Sequence, residues 1–280
     1  MRRIAAVIPR ILRRLPPAIS QRVYYRVFNH RQSWFSECFD RVELRYGKGY
    51  FMERLVVGDV ISGQIALCGF YEPDLSMEIQ RLATQPVSST EDQRRLLVDV
   101  GANMGYFSLL WLAGNAVNRV VAIEASPANC DRIRRNLVVN CLEDRAQLLA
   151  CAAGDSERVV QFSLGPEDQT GWGGLERPGQ VGSVGRMINV PMRRLDDVFS
   201  GNEQIEVLKI DVEGSDSLVL EGAERILREK RVKWIFCEQN LIRMRRLGVD
   251  EKRAEKLLTS CGYHVRISGS PASSLVAYRP

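Results

Sequence analysis

The chain has 280 residues, of which 45% are hydrophobic and 26% are charged, and its formal net charge is +5. This length and composition are enough to bury a large core in one domain, or in one domain with an extension. Residues 1–36 hold eight arginines and neither lysine nor acid, so they carry +8 and residues 37–280 carry 5 − 8 = −3. A mildly acidic body is not typical of nucleic-acid-binding proteins, so nucleic acid is excluded as the expected partner.

The cysteine and histidine content argues against a structural zinc site. The seven cysteines form no C-x-x-C pair, and there are only two histidines, His30 and His264. The cysteines lie mostly in apolar runs, so we expect small core residues in a reducing compartment, which predicts a cytoplasmic location. The cysteines are Cys38, Cys68, Cys130, Cys141, Cys151, Cys237 and Cys261.

Residues 1–36 form a basic, amphipathic N-terminal arm. Apolar residues recur at helical spacing between arginines, and prolines interrupt the pattern. The apolar run is too short to span a bilayer. Three interpretations stay open: a leading helix that packs on the core or is solvated, peripheral contact with an anionic membrane surface, and an organelle transit peptide.

Residues 37–85 are predicted to be a β-rich lead-in followed by a helix that covers the site. The segments VELRYG, YFMERLVV and SGQIALCG are short, β-rich and separated by glycines, which predicts a small antiparallel unit. Pro73 then opens a helix, in which Leu75, Ile79 and Leu82 recur at helical spacing.

Residues 86–280 are predicted to be the main domain, and their most informative stretch is LVDVGANMGYFSLL, from Leu97 to Leu110. It predicts a buried strand, a tight turn at Gly101 and Gly105, and the start of a helix. Asp99 places a carboxylate at the carboxyl end of the strand, where open α/β sheets bind ligands. The run lacks both the G-x-G-x-x-G fingerprint and a P-loop. Its pattern D-x-G-x-N-x-G-x-F resembles the first motif of class I S-adenosylmethionine (SAM) methyltransferases, whose cofactor has no phosphate, and an ordinary tight strand-to-helix turn is the alternative.

A second strand, RVVAIE, ends at Glu124, 25 residues after Asp99. In nucleotide-binding βαβ units an acid at about this distance holds the ribose hydroxyls. The alternative for Glu124 is a solvent-exposed acid at a strand end. Ser126 and Pro127 then predict the cap and the first residue of a helix.

The chain continues with strand segments and one long glycine-rich loop. We expect a third strand over Gln147 to Ala153, a further strand at RVVQFSL, and a loop from Gly165 to Arg186. So long a loop in a compact domain is typically functional or mobile, so it is predicted either to form part of the acceptor pocket or to be a disordered surface loop.

The stretch IEVLKIDVEGSDSLVL combines a strand with a charged carboxyl end. Side-chain alternation puts Lys209 and Asp211 on one side of the strand from Ile205 to Ile210, and Glu213 joins them if the alternation continues past the strand end. Ser215 is expected to cap the next helix. The charges are interpreted as a functional cluster near the crevice, and a structural ion pair is the alternative.

The C-terminal third is predicted to complete the sheet. VKWIFCE is expected to be a fifth core strand, and Leu241 to Ser260 a helix. YHVRISG and LVAYRP are expected to pair antiparallel and to close the edge of the sheet.

The motifs VDVGANMGYFSLL, VVAIEASP, RRLDDV, LKIDVEG and WIFCEQN together resemble the FkbM family of SAM-dependent methyltransferases, over roughly Phe70 to Glu238. One departure is Asp216, where family members usually have Glu. The resemblance implies an α/β class I methyltransferase fold: a doubly wound, seven-stranded, mostly parallel sheet with a C-terminal antiparallel hairpin, after a small helical and β extension. It implies that SAM contacts Glu72, Asp99, Gly101, Asn103, Gly105, Tyr106, Phe107, Ser108, Glu124, Ala125, Ser126 and Asp211.

The resemblance implies an enzyme that methylates a hydroxyl group on a sugar, glycolipid or secondary metabolite. Both histidines lie outside the motifs and are expected at the surface or in packing, so the candidates for the general base are Asp211, Glu213 and Glu238, with Lys209 as an orienting residue. No metal is expected, although Asp211 and Glu213 leave a divalent ion open. The basic arm favours the hypothesis that the acceptor is a glycan or lipid-linked molecule at a membrane. A non-catalytic SAM-fold binding protein and a nicotinamide-dependent oxidoreductase remain the alternatives.

Overall fold

The structure is a computed structural model that describes residues 11–12, 26, 32–86, 94–176, 185–268 and 273–279. Its strands are β1 (Arg41–Glu43), β2 (Phe51–Glu53), β3 (Arg95–Val100), β4 (Asn118–Glu124), β5 (Ala146–Ala150), β6 (Ala152–Ala153), β7 (Arg158–Ser163), β8 (Gly174–Leu175), β9 (Met187–Arg193), β10 (Ile205–Ile210), β11 (Val232–Gln239), β12 (His264–Ser268) and β13 (Ser273–Tyr278). Its helices are α1 (Gln32–Cys38), α2 (Val60–Cys68), α3 (Pro73–Ala83), α4 (Tyr106–Gly114), α5 (Pro127–Val139), α6 (Leu195–Val198), α7 (Asp216–Glu221), α8 (Glu224–Arg228), α9 (Leu241–Leu247) and α10 (Arg253–Ser260).

The main sheet has seven strands in the order β12-β13-β11-β10-β3-β4-β5. Five of them are parallel neighbours, and β13 runs antiparallel to both β11 and β12. The expected doubly wound sheet with a closing hairpin is therefore confirmed. The chain winds outwards from β3 towards β5 and from β10 towards β12, so the carboxyl ends of β3 and β10 flank the switch point where such sheets bind ligands.

Two hydrophobic cores cover the two faces of this sheet. Along β3, Leu97 packs into the core that contains α3 and α4, whereas Val98 packs into the core that contains α7, α8 and α10. The same alternation separates Val207 from Leu208 on β10. Because successive side chains of a strand point to opposite faces, these apolar runs fill both cores at once.

A second, four-stranded sheet of order β6-β9-β7-β8 adjoins the first. The third strand predicted over Gln147 to Ala153 is split: residues up to Ala150 join the main sheet, whereas Ala152 and Ala153 pair with β9. RVVQFSL forms a strand as expected, and that strand belongs to the second sheet.

Two secondary-structure predictions were wrong. SGQIALCG is not a strand but the body of α2, because the Asp59 carboxylate accepts the Ser62 N–H and caps the helix, and Gly69 ends it at φ 74°. The predicted helix from Leu241 to Ser260 is two helices, because Gly248 adopts φ 60° after the first of them. The antiparallel pair β1–β2 and the helix that begins at Pro73 are confirmed.

Most of the arm at residues 1–36 lies outside the described residues, as does the turn of the terminal hairpin. Leu12 is buried in the core that contains α3 and α4. Among the residues that the structure describes, no helix is long and apolar enough to cross a membrane. The seven cysteines are free, and five of them are buried as small core residues, as expected.

Candidate active site

A cleft opens at the carboxyl ends of the central strands. Its walls are the turn after β3, the residues after β4, the bend between β5 and β6, and the loop after β10. Of the predicted cofactor residues, those that line it are Gly101, Asn103, Tyr106, Phe107, Glu124, Ala125, Ser126 and Asp211.

The turn after β3 depends on Gly101. Its φ is 72°, and a Cβ at this position would lie 1.8 Å from the carbonyl oxygen of Asp211. Asn103 also has a positive φ, 52°, and Gly105 leads into α4 at φ 86°. The loops after β3 and β10 therefore touch through backbone atoms, which only glycine permits at residue 101.

Glu124 is buried under the cleft. Its two carboxylate oxygens accept the backbone N–H groups of Asn103 and Ser126, each at 2.8 Å. Burial raises the pKa of Glu124 to about 7, although both hydrogen bonds act in the opposite direction. A solvent-exposed acid at a strand end is thus excluded, and each oxygen retains a lone pair for a ligand hydroxyl.

Asp99 and Ser108 lie behind the cleft wall. Asp99 is fully buried, and its Oδ2 accepts the Ser108 hydroxyl at 2.7 Å. Neither residue lines the cleft, which differs from the direct cofactor contact expected of them. The Asp99 carboxylate faces Lys209 instead, whose Nζ lies 3.5 Å from Oδ1.

Lys209 is a buried cation that holds two loops and two acids. Its Nζ donates to the carbonyl oxygen of Gly101 at 3.2 Å and lies 3.4 Å from Asp211 Oδ2. Burial lowers the pKa of Lys209, but the charges of Asp211, Asp99 and other acids outweigh this and raise it above its usual value. The expected grouping of Lys209 with Asp211 is confirmed. Lys209 and Asp211 form an ion pair, and both residues also line the cleft.

Besides Asp99, four acids gather around this lysine: Glu72, Asp211, Glu213 and Glu238. The charge of Asp211, followed by burial and the charge of Glu72, raises the pKa of Glu238 to about 8. Burial also raises the pKa values of Glu72 and Glu213. Glu213 differs from the others because Asn240 donates to it at 2.8 Å and Arg243 lies 3.6 Å away.

The turn at Glu213 and Gly214 is held by Asp216. The Asp216 carboxylate accepts the N–H groups of Val212 and Gly214, each at 3.1 Å, and burial raises its pKa to about 7. Ser215 occupies the N-cap position of α7, as predicted, but its side chain makes no capping hydrogen bond, because the hydroxyl donates back to the carbonyl of Val212.

A second cavity of about 760 Å³ meets the cleft at Lys209, Asp211 and Glu238. It lies between α3, β11 and the terminal hairpin, and Glu72 lines it rather than the cleft. One wall is aromatic and apolar, formed by Trp234, Phe236, Val276 and Tyr278.

The glycine-rich loop lies over the cleft, where residues 169–173 form part of the lining, and residues 177–184 lie outside the described residues. Sequence reasoning missed Asp59, Asn129 and Gln169, which line this end of the cleft. No motif marks them, and their proximity comes from tertiary contacts between α2, α5 and the loop.

His264 is exposed and stacks against Tyr278 with ring centroids 5.4 Å apart, which confirms a surface role, whereas His30 lies outside the described residues. Within the described ranges, no group of three or more His, Cys, Asp or Glu side chains is arranged to hold a metal ion.

Comparison with known proteins places this geometry in a family. Residues 99–265, more than half of the chain, match the methyltransferase FkbM domain. Methyltransferase sdnD of Sordaria araneosa is 26% identical over 155 residues, which are 46% of this chain and 60% of that protein. The 2-O-methyltransferase NoeI of Sinorhizobium fredii is 28% identical over 183 residues, which are 61% of this chain and 72% of that protein.

The solved structure of a methyltransferase FkbM from Methylobacillus flagellatus KT aligns with a TM-score of 0.46 and 18% identity, covering 78% of this chain and 52% of that one. The strand order described above is that of class I methyltransferases, and the family indicates SAM as the cofactor. The chain belongs to the FkbM methyltransferase family.

Proposed function

We propose that this chain is a SAM-dependent O-methyltransferase whose acceptor presents a hydroxyl group at Asp211 and Glu238. The observation that carries the proposal is the meeting of two cavities at Lys209, Asp211 and Glu238. One cavity has the glycine turn and the buried acid of a nucleoside site, and the other is open to an acceptor.

The residues of the cleft suit SAM. The ligand brings ribose hydroxyls and amino groups, which are hydrogen-bond donors, and no phosphate. The cleft offers acceptors: the carboxylate of Glu124 and the side-chain oxygen of Asn103, which is buried and has no hydrogen-bond partner within the described ranges. Gly101 keeps the turn free of a side chain where the ligand approaches.

SAM, when bound, supplies an electrophilic methyl group on a sulfonium. The chain contributes position and a proton acceptor. Asn103 and Glu124 hold the nucleoside half, and Lys209 fixes the Gly101 turn relative to Asp211. Alignment of the two reactants contributes much of the acceleration in a displacement of this kind.

Glu238 is the best-placed base among the three candidates. It lies at the junction of the cavities, and its raised pKa makes its carboxylate a stronger proton acceptor than an ordinary one. Asp211 is paired with Lys209, and Glu213 is engaged by Asn240 and Arg243. In the proposed reaction Glu238 accepts the proton that the acceptor hydroxyl releases.

The acceptor class is a hydroxyl-bearing sugar, glycolipid or secondary metabolite. The similarity to a protein named a 2-O-methyltransferase supports oxygen as the methylated atom.

We further propose a cytoplasmic protein whose basic arm contacts anionic membranes and so reaches a glycan or lipid-linked acceptor. If a variant without residues 1–36 still pelleted with anionic vesicles, membrane contact through the arm would be disproved.

Calorimetric titration with SAM, and separately with NADH, tests the proposal. We expect micromolar SAM binding that Glu124→Ala removes, followed by transfer of labelled methyl groups to a hydroxyl in an acceptor screen. NADH binding without SAM binding would favour the oxidoreductase. Retained SAM binding without turnover on any acceptor would favour a non-catalytic binding protein.

A further inference from the structure

A strap, residues 164–175, crosses the end of the cleft that lies above Glu124. Leu164, Gln169, Thr170 and Trp172 of the strap line the cleft. They face the residues after β4 and the bend at Ala152, which form the nucleoside half of the cleft in the proposed function.

The strap is anchored to α2 by one buried carboxylate. Asp59 Oδ1 accepts the backbone N–H of Thr170 at 2.9 Å, and Oδ2 accepts its hydroxyl at 3.1 Å. The same Oδ2 accepts the Ser62 N–H at 2.8 Å. Asp59 therefore caps α2 and fixes the strap simultaneously, and its two oxygens are both engaged.

Two further contacts fix the strap on the other sides. Asn129 of α5 donates to the carbonyl oxygen of Thr170 at 3.0 Å. Arg243 donates to the carbonyl oxygen of Trp172 at 2.5 Å. With anchors on α2, α5 and α9, the strap holds its side chains at a defined place in the wall of the cleft.

Gln169 is positioned by these anchors and by its own amide. Its Nε2 donates to the carbonyl oxygen of Gly58 at 2.9 Å, which determines the direction of the amide. Its Oε1 is buried and has no hydrogen-bond partner among the described residues. A buried acceptor without a donor is unfavourable, so this oxygen is suited to a ligand donor.

We propose that Gln169 is a cofactor-specificity residue whose side-chain oxygen accepts a hydrogen bond from the adenine amino group. The inference rests on the proposed function, because it takes SAM as the ligand. The ribose hydroxyls have Glu124 as their acceptor, so the amino group is the remaining donor of the nucleoside half. Ala152, Phe162 and Leu164 supply the apolar surroundings that suit a flat base.

The test compares the binding of S-adenosylhomocysteine (SAH) with that of S-inosylhomocysteine, in which a carbonyl oxygen replaces the amino group. Calorimetry on the wild-type chain should show at least about tenfold preference for SAH, because the carbonyl oxygen of the analogue and the side-chain oxygen of Gln169 are both hydrogen-bond acceptors. Gln169→Met should reduce the preference to about twofold or less, mainly by lowering the affinity for SAH. Gln161→Met, at an exposed position on β7, should leave both affinities unchanged.

Each other outcome overturns the proposal. If Gln169→Met lowered the affinities for both ligands equally, Gln169 would only hold the strap. If both affinities stayed unchanged, Gln169 would not contact the base. If the folded wild-type chain bound neither ligand, the proposed function itself would fail. If SAH and its analogue bound equally well to the wild type, only the role of Gln169 would fail.

Discussion

Lys209 Nζ donates to the carbonyl oxygen of Gly101 at 3.2 Å and so connects residues 108 positions apart in the chain. Gly101 begins the loop after β3, and Lys209 precedes the loop after β10. The same ammonium lies between Asp99 and Asp211. One buried cation therefore sets the relative position of the two loops that form the centre of the cleft.

Lys209→Met should strongly destabilise the chain. The substitution keeps the volume but leaves the Asp99 and Asp211 carboxylates without their cation, and breaking a buried ion pair in this way costs about 3–5 kcal/mol. Lys233→Met on the adjacent strand is the matched control, because the Lys233 side chain is 42% exposed and its partner Glu206 keeps a second cation, Arg95, so the loss should be about 1 kcal/mol or less. Urea unfolding measures both, and equal losses would contradict a structural role for Lys209.

Gly101→Ala should cost about 3 kcal/mol or more, because the new Cβ would collide with the carbonyl of Asp211. Gly49→Ala is a control with a similar backbone conformation, φ 85°, and no atom within 4 Å of the added Cβ. It should cost only the strain of a left-handed alanine, about 1–2 kcal/mol. Thermal unfolding would distinguish the two, and an equal loss would contradict the close approach at Gly101.

SAH binding should release protons near neutral pH. The pKa of Glu124 is raised to about 7, so part of the free protein carries a neutral Glu124 there. Ligand hydroxyls favour the carboxylate and lower this pKa, so affinity should increase as the pH rises through about 7 and level off above it. Calorimetry in buffers of different ionisation enthalpy counts the protons. Glu124→Gln should remove the release, whereas Glu143→Gln should not; release that persisted in Glu124→Gln would have another source.

The methyl-transfer rate should rise with pH through about 8, because Glu238 acts as a base only when it is ionised. Asp211→Asn removes the largest cause of the raised pKa, so the midpoint of kcat/KM against pH should move to lower pH even as the rate falls. Glu213→Gln should move it less, since Glu213 contributes less to that pKa. The acceptor found in the screen supplies the assay. A midpoint that Asp211→Asn left in place would argue against Glu238 as the base.

Local patterns predicted the parts of this molecule that depend on neighbouring residues. The apolar runs at Leu97 and Val207, the turn at Gly101 and the alternation of Lys209 with Asp211 all follow from short-range geometry. Helix α2 is the exception among local features, because glycines bound SGQIALCG like a short strand, although its Ala, Leu and Gln favour a helix and Asp59 caps that helix three residues before Ser62.

The family, the winding of the main sheet and the glycine and acid positions of the cleft follow from the amino-acid sequence, since these features lie at characteristic spacings along the chain. Three relationships appear only in the folded chain: Asp99 faces Lys209 behind the wall, Glu72 lines the second cavity, and the strap carries Gln169 to the cleft. These relationships join residues far apart in the chain, and burial and charge between such residues leave no local pattern.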